Sequence, residues 1–189
     1  MPVEPVSGAV TIPGVFVEVL GEGVLLTGAS GVGKSELALE LISRGGRLIV
    51  DDAPEFQPAA GMGLDGACPE GLGDFLAHRD LGILNIRALY GTGAVKGRCR
   101  LSLIIELRRP APGEPSDDGP CLELPYETRS VLGVSVPAVR LWTRSGRTLA
   151  VIVETLVRNH RLRERGYDAY ADFVRRQEAL MGPPPDAGA

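Results

Sequence analysis

The eight residues Gly28-Ala29-Ser30-Gly31-Val32-Gly33-Lys34-Ser35 restrict the fold more than any other part of the chain. They fit Gly-x-x-x-x-Gly-Lys-[Ser/Thr], a pattern that works as the bend between a buried strand and a helix. Both flanks comply: Gly23-Val24-Leu25-Leu26-Thr27 reads as a strand, and Ser35 to Arg44 as a helix. In such a bend the glycines let successive backbone N–H groups converge on phosphate oxygens. The helix N-terminus adds positive potential, Lys34 adds a full charge, and Ser35 is expected to face a magnesium ion. The competing reading is a glycine-rich turn with a surface lysine. Against it, the chain has two lysines, Lys34 and Lys96, beside eighteen arginines, and one of the two occupies the position this chemistry requires.

A chain of 189 residues has room for one domain with a substantial core and too little for two of ordinary size. Its net charge of −4 provides no broad field for a polyanion, so no nucleic-acid partner is expected. No apolar run approaches the roughly 20 residues that span a bilayer. The start Met1-Pro2-Val3-Glu4 lacks the basic and apolar regions of a signal peptide, which makes a cytoplasmic protein without a membrane partner the expectation. Cys68, Cys99 and Cys121 are odd in number and widely spaced, with no Cys-x-x-Cys pair, and read as reduced thiols.

Residues 1–12 read as a tail or linker and 182–189, with Pro183-Pro184-Pro185, as a disordered tail, leaving 13–181 as the folded unit. Val15 to Leu20 is β-branched and aromatic, and Gly21-Glu22-Gly23 turns it into the next apolar run, so a hairpin is expected and with it a mixed sheet. After the helix, Gly45-Gly46 offers a left-handed stop, and Arg47-Leu48-Ile49-Val50 reads as a buried strand ending in Asp51-Asp52. A strand in that place should lie beside the one before the loop, which puts both aspartates at the mouth of the phosphate site. Ala53 to Gly73 reads as a connecting region, Asp74 to His78 as a short helical turn, and Leu81 to Ile86 as a strand or compact loop. Arg100 to Leu107 is a good strand, Pro110 to Pro120 a mobile loop, and Val134 to Trp142 a pair of edge segments. Thr148 to Glu154 begins a strand or a helix, and Asn159 to Leu180 is helical, interrupted at Gly166-Tyr167.

A phosphate loop says that a nucleotide binds and leaves open what is done with it. Neither lysine sits in an Asn-Lys-x-Asp base-reading motif, which argues against a GTPase. Phosphoryl transfer to a hydroxyl needs a metal near the phosphates and a carboxylate to take the hydroxyl proton, and Asp51 and Asp52 can divide that work. On a regular strand the two would point to opposite faces, so both reach the phosphates only if the backbone twists locally.

At this point the residues resemble a known family. Gly14-Val15-Phe16-Val17, Gly23 to Gly28, Gly33-Lys34-Ser35-Glu36 and Arg47 to Asp52 together look like the catalytic domain of HPr kinase/phosphorylase. The likeness continues through Leu81 to Asn85, Gly91 to Val95, Gly146-Arg147, and Asn159 with Arg161 before Gly166-Tyr167-Asp168. The resemblance implies an α/β phosphate-loop domain with mixed β-sheets, related to phosphoenolpyruvate carboxykinase and carrying C-terminal helices, usually as a hexamer. It implies ATP- and magnesium-dependent phosphorylation of a serine in the small carrier protein HPr, and the reverse phosphorolysis. By position Lys34 binds phosphate, Ser35 and Asp52 help hold magnesium, and Asp51 is the general base for the serine. Arg144 and Arg147 match a basic loop near the transferred phosphate.

The sequence also departs from that family. Pro13 stands where the family has a histidine beside the catalytic aspartate, and it has neither a titratable group nor a backbone N–H. Ala77 replaces a signature glutamate and Asp80 a glycine, with His78 or Asp80 as candidates to compensate. An arginine that precedes the family's basic loop has no match near Cys121, and the family's N-terminal regulatory domain has no counterpart in these residues. Two other functions therefore stay open beside a carrier-protein kinase: a nucleotide-binding regulatory protein that has lost turnover, and a small-molecule kinase whose Arg144 to Arg147 turn grips an anionic metabolite.

Overall fold

The computed structural model describes residues 8–69, 73–110, 123–143 and 148–181. The chain order is β1 (Val10–Thr11), β2 (Val15–Val19), β3 (Glu22–Gly28), α1 (Lys34–Ser43), β4 (Arg47–Val50), β5 (Glu55–Ala59) and β6 (Gly63–Ala67). It continues with β7 (Phe75–His78), β8 (Gly82–Asn85), α2 (Ile86–Tyr90), a short 3-10 turn at Thr92–Ala94, and β9 (Arg98–Arg108). The remaining elements are β10 (Glu127–Val131), β11 (Val134–Trp142), α3 (Leu149–Glu164) and α4 (Ala169–Met181). No helix among the described residues is long and apolar enough to cross a membrane.

β2 and β3 form the expected hairpin, with Val19 opposite Glu22, so the connection is Leu20-Gly21 and not Gly21-Glu22-Gly23. Both connecting residues have positive φ, 54° and 93°, the type I′ geometry whose twist matches that of the flanking strands. Central strand β9 carries the sheet. Its second half runs parallel to β3 on one side and to β11 on the other, and its first three residues pair antiparallel with β6. β2 and β3 are buried on both faces, which explains their nearly unbroken apolar runs, whereas β9 is fully buried only over Leu103 to Ile105 and alternates toward both ends. Val17, Leu26 and Ile105 meet α1 and α3 on one face, while Phe16, Leu25 and Ile104 meet Phe56 and Leu64 on the other.

Several expectations change. Residues within Ala53 to Gly73 form a hairpin, β5 with β6, that extends the sheet through β9 and is more than a connection. Val10 and Thr11, placed in the tail by the sequence reading, pair with Phe56 and Glu55. Residues 75–78 are a strand paired with β8, where a helical turn was expected. Val134 to Trp142 is one strand held between β9 and the edge strand β10, and α3 begins at Leu149. The tails at 1–7 and 182–189, most of the loop at 110–120, Cys121, Arg144 and Arg147 lie outside the described residues.

Candidate active site

The loop is shaped by its glycines. Gly28, Gly31 and Gly33 all have positive φ, and a Cβ on Gly28 would stand 2.3 Å from the carbonyl oxygen of Leu107, so only glycine lets β3 end this close to β9. The helix that follows starts at Lys34, one residue earlier than the sequence suggests. It stops where expected: Gly45, in the left-handed region, donates its N–H to Ile42, and Gly46 donates to Leu41, the Schellman arrangement. Lys34 Nζ donates to the carbonyls of Gly28 and Ala29, both at 3.1 Å, and so sits across the mouth of the loop.

The aspartates reach this loop by a different route from the one expected. β4 pairs with β2, not with β3, so a strand separates the two elements. Because β2 is antiparallel to both neighbours, β3 and β4 still run in the same direction and end at the same edge of the sheet. Beyond Val50 the strand geometry stops. Asp52 adopts φ 70°, a left-handed conformation uncommon outside glycine and easiest for Asp and Asn. That twist breaks the alternation of faces, and both carboxylates line one open cleft of about 860 Å³ with Ser30, Lys34 and Ser35.

Two further segments complete the cleft. The β7–β8 hairpin supplies Ala77, His78, Arg79 and Asp80 along one wall. Ala77 donates its backbone N–H to Asp51 Oδ2 at 2.8 Å, and Asp80 donates its N–H to His78 Nδ1 at 3.3 Å. Arg109, just past β9, lines the other side and donates from Nη2 to the Gly31 carbonyl at 2.6 Å. Sequence reasoning missed Arg109. The signal that points to it is the length of β9, whose last residues must reach the loop if the strand runs beside β3. Pro13 is exposed next to the aspartates, and its neighbours are pinned there: Ile12 donates to the Pro54 carbonyl and Gly14 to the Asp52 carbonyl.

The electrostatics single out Asp51. Burial pushes its carboxyl above the ordinary aspartate value of 3.8, and the neighbouring Asp52 adds to the shift. The Ala77 N–H and the charge of Lys34 oppose this without cancelling it. A carboxylate with raised basicity in a cleft, facing a phosphate loop, is suited to accept a proton from a hydroxyl. Ser35 and Asp52 present hard oxygen donors at the same place, the donor type magnesium prefers, and it commonly uses one or two carboxylates together with phosphate oxygens.

Known proteins resemble this chain over most of its length. The family model for the HPr Serine kinase C-terminal domain matches residues 5–177. A protein named HPr kinase/phosphorylase from Azoarcus sp. (strain BH72) is 48% identical over 172 residues, covering 91% of this chain and 54% of that protein. One from Xanthomonas campestris pv. campestris (strain B100) is 49% identical over 179 residues, with the same two coverages of 91% and 54%. The chain thus spans about half the length of the curated relatives it matches. Among solved structures, the Hpr(Ser) kinase/phosphatase from Coxiella burnetii superposes with a TM-score of 0.75 at 36% identity, covering 86% of this chain and 97% of the other. Matched by the family model over most of its length and by relatives at nearly half identity, the chain belongs to the HPr serine kinase C-terminal domain family.

Proposed function

We propose that this chain carries the catalytic site of an ATP- and magnesium-dependent serine kinase that phosphorylates HPr or a related carrier protein. The observation that carries the reading is the convergence of Lys34, Ser35, Asp51 and Asp52 on one cleft from elements far apart in sequence. In this reading the backbone N–H groups of Gly28 to Gly33 and the Lys34 ammonium hold the phosphates. Ser35 and Asp52 hold magnesium, whose charge would offset that developing on the phosphoryl oxygens. Asp51, ionised, takes the proton from the acceptor serine as its oxygen bonds to phosphorus, and the cleaved bond leaves ADP. Arg144 and Arg147, carried over from the family resemblance, add positive charge near the transferred group.

In the reverse direction Asp51 must return that proton, and Pro13 offers no second titratable group beside it. Phosphorolysis is accordingly the weaker direction. The assembly proposed is a homo-oligomer, a hexamer by resemblance, and the compartment the cytoplasm. The exposed apolar side chains Phe173, Leu180 and Met181 on α4, a helix that buries no residue of its own, support a subunit contact. Ala77 and Pro13 favour one rival, a nucleotide-responsive binding protein without turnover.

The test incubates the full chain with γ-labelled ATP, magnesium and purified HPr, and locates the label. Label on an HPr serine, lost in Asp51→Asn, is the expected result. ATP binding without label on any protein acceptor would replace the kinase by the binding protein. Label on a metabolite alone would make it a small-molecule kinase.

A further inference from the structure

The cleft described above lies on the β4 side of the phosphate loop, where the acids are. A second recess, of about 300 Å³, lies on the opposite side of the same loop, against the end of β9. Ala29 and Val32 form its loop wall, and Leu107, Arg108 and Arg109 its strand wall. Ser30 and Arg109 border both spaces, so the two recesses meet across the loop.

A nucleoside triphosphate bound to such a loop has two ends. If its terminal phosphate faces Asp51 and Asp52, an extended triphosphate carries its nucleoside toward the other side of the loop, which by the sheet order β4-β2-β3-β9 is the β9 side, where the second recess lies. We infer that the recess between Ala29-Val32 and Leu107-Arg109 is the subsite for the purine nucleoside of ATP, with the Arg109 guanidinium against the base. This rests on the kinase reading above and adds where the nucleoside sits.

The chemistry of the recess fits a neutral, flat, polarizable group. Glu106 lines it, but its charge is matched by Arg129 and by Arg108, whose Nε donates to Glu106 Oε1 at 2.7 Å. Arg108 is therefore committed to the strand surface. Arg109 is held differently: Nη2 reaches the Gly31 carbonyl at 2.6 Å, which fixes a planar cation at the border of both recesses. A guanidinium fixed in advance loses little freedom on stacking against a purine and gains a cation–π contact. The same hydrogen bond ties the nucleoside subsite to the backbone of the phosphate loop.

The experiment compares ATP with inorganic tripolyphosphate, which has the charge and lacks the nucleoside, by calorimetry on the full chain. Wild type should prefer ATP. Arg109→Ala should weaken ATP by about tenfold, the size of one guanidinium–ring contact, and retain tripolyphosphate binding. Because Arg109 also touches Gly31, a second variant, Ala29→Phe, fills the recess without removing that bond and should again weaken ATP selectively. Photolabelling with 8-azido-ATP should mark residues 29–32 or 106–109. Equal loss of both ligands in Ala29→Phe, equal binding of both by wild type, or a label elsewhere would overturn the subsite and leave the kinase reading standing. Wild type that binds neither ligand would refute the kinase reading itself.

Discussion

Asp51 accepts a hydrogen bond at 2.8 Å from the backbone N–H of Ala77, a residue 26 positions further along the chain. The proposed base is thus steadied by main chain at the position where the family resemblance implies a glutamate. An amide N–H supports the ionised carboxylate without competing for its proton.

The pH dependence of transfer follows from this contact. Burial holds the Asp51 carboxyl above its ordinary value of 3.8, so the proposed phosphoryl transfer should fall off on acidification at a pH above that value. Ala77→Pro deletes the N–H that stabilises the charged form, and should move the acid limb further up, by about 1–2 pH units for one charge-assisted hydrogen bond. Rate profiles of the two proteins that superimpose would break the link between the hairpin and the base.

Asp51→Asn separates chemistry from stability. Transfer should drop by about 10²–10⁴-fold. The stability linked to a raised carboxyl is full below its unfolded-state value and is lost as pH rises through the folded-state value. At neutral pH the ionised Asp51 therefore costs stability, and the variant should melt at the same temperature as wild type or higher. A lower melting temperature at pH 7 would mean that Asp51 is a structural residue.

Lys34→Ala should abolish the proposed ATP binding and leave the melting temperature nearly unchanged, since among the described residues Lys34 Nζ donates to two loop carbonyls and Lys34 is no part of the core. Calorimetry and thermal unfolding on the same preparation check both halves. Loss of the fold in place of loss of binding would mean that the loop is structural.

Glu18 makes the opposite kind of prediction. It is buried, 4% exposed, at the far end of β2, paired with Arg47 and Lys96. Burial would raise its carboxyl, but the hydrogen bonds from Lys96 and Arg47 prevail and hold it below the ordinary 4.5. Its contribution should be complete above that value and be lost as pH falls through the lowered one. Glu18→Ala should cost about 1.5–3 kcal/mol at pH 7 and less in acid, with ATP binding untouched. Urea titrations at the two pH values measure it.

The parts of the fold that the sequence reveals are those where local pattern and tertiary need coincide. Gly28 to Ser35 is legible because each residue type answers a local demand, and the Leu20-Gly21 hairpin because two apolar runs flank a short turn. β5 and β6 are illegible for the opposite reason. Pro58, Gly63 and Gly66 look like loop residues, yet a Cβ on Gly66 would lie 2.5 Å from the rings of both Phe16 and Phe56, so that glycine serves ring packing inside a strand. β7 has four residues and no periodicity to show. At the site, the types of Asp51 and Asp52 were readable, but the left-handed turn at Asp52 that aims both into one cleft was not. Arg109 has no motif around it and gains its meaning from the strand pairing of β9 with β3.

The strand wedged between β3 and β4 also sets a gauge. Two inter-strand steps separate the elements carrying the loop and the acids, a stand-off of about 10 Å at the usual spacing. The inserted strand acts as a spacer, so the separation of loop and acids is set by the hydrogen-bond ladders of the sheet and not by the length of a connection.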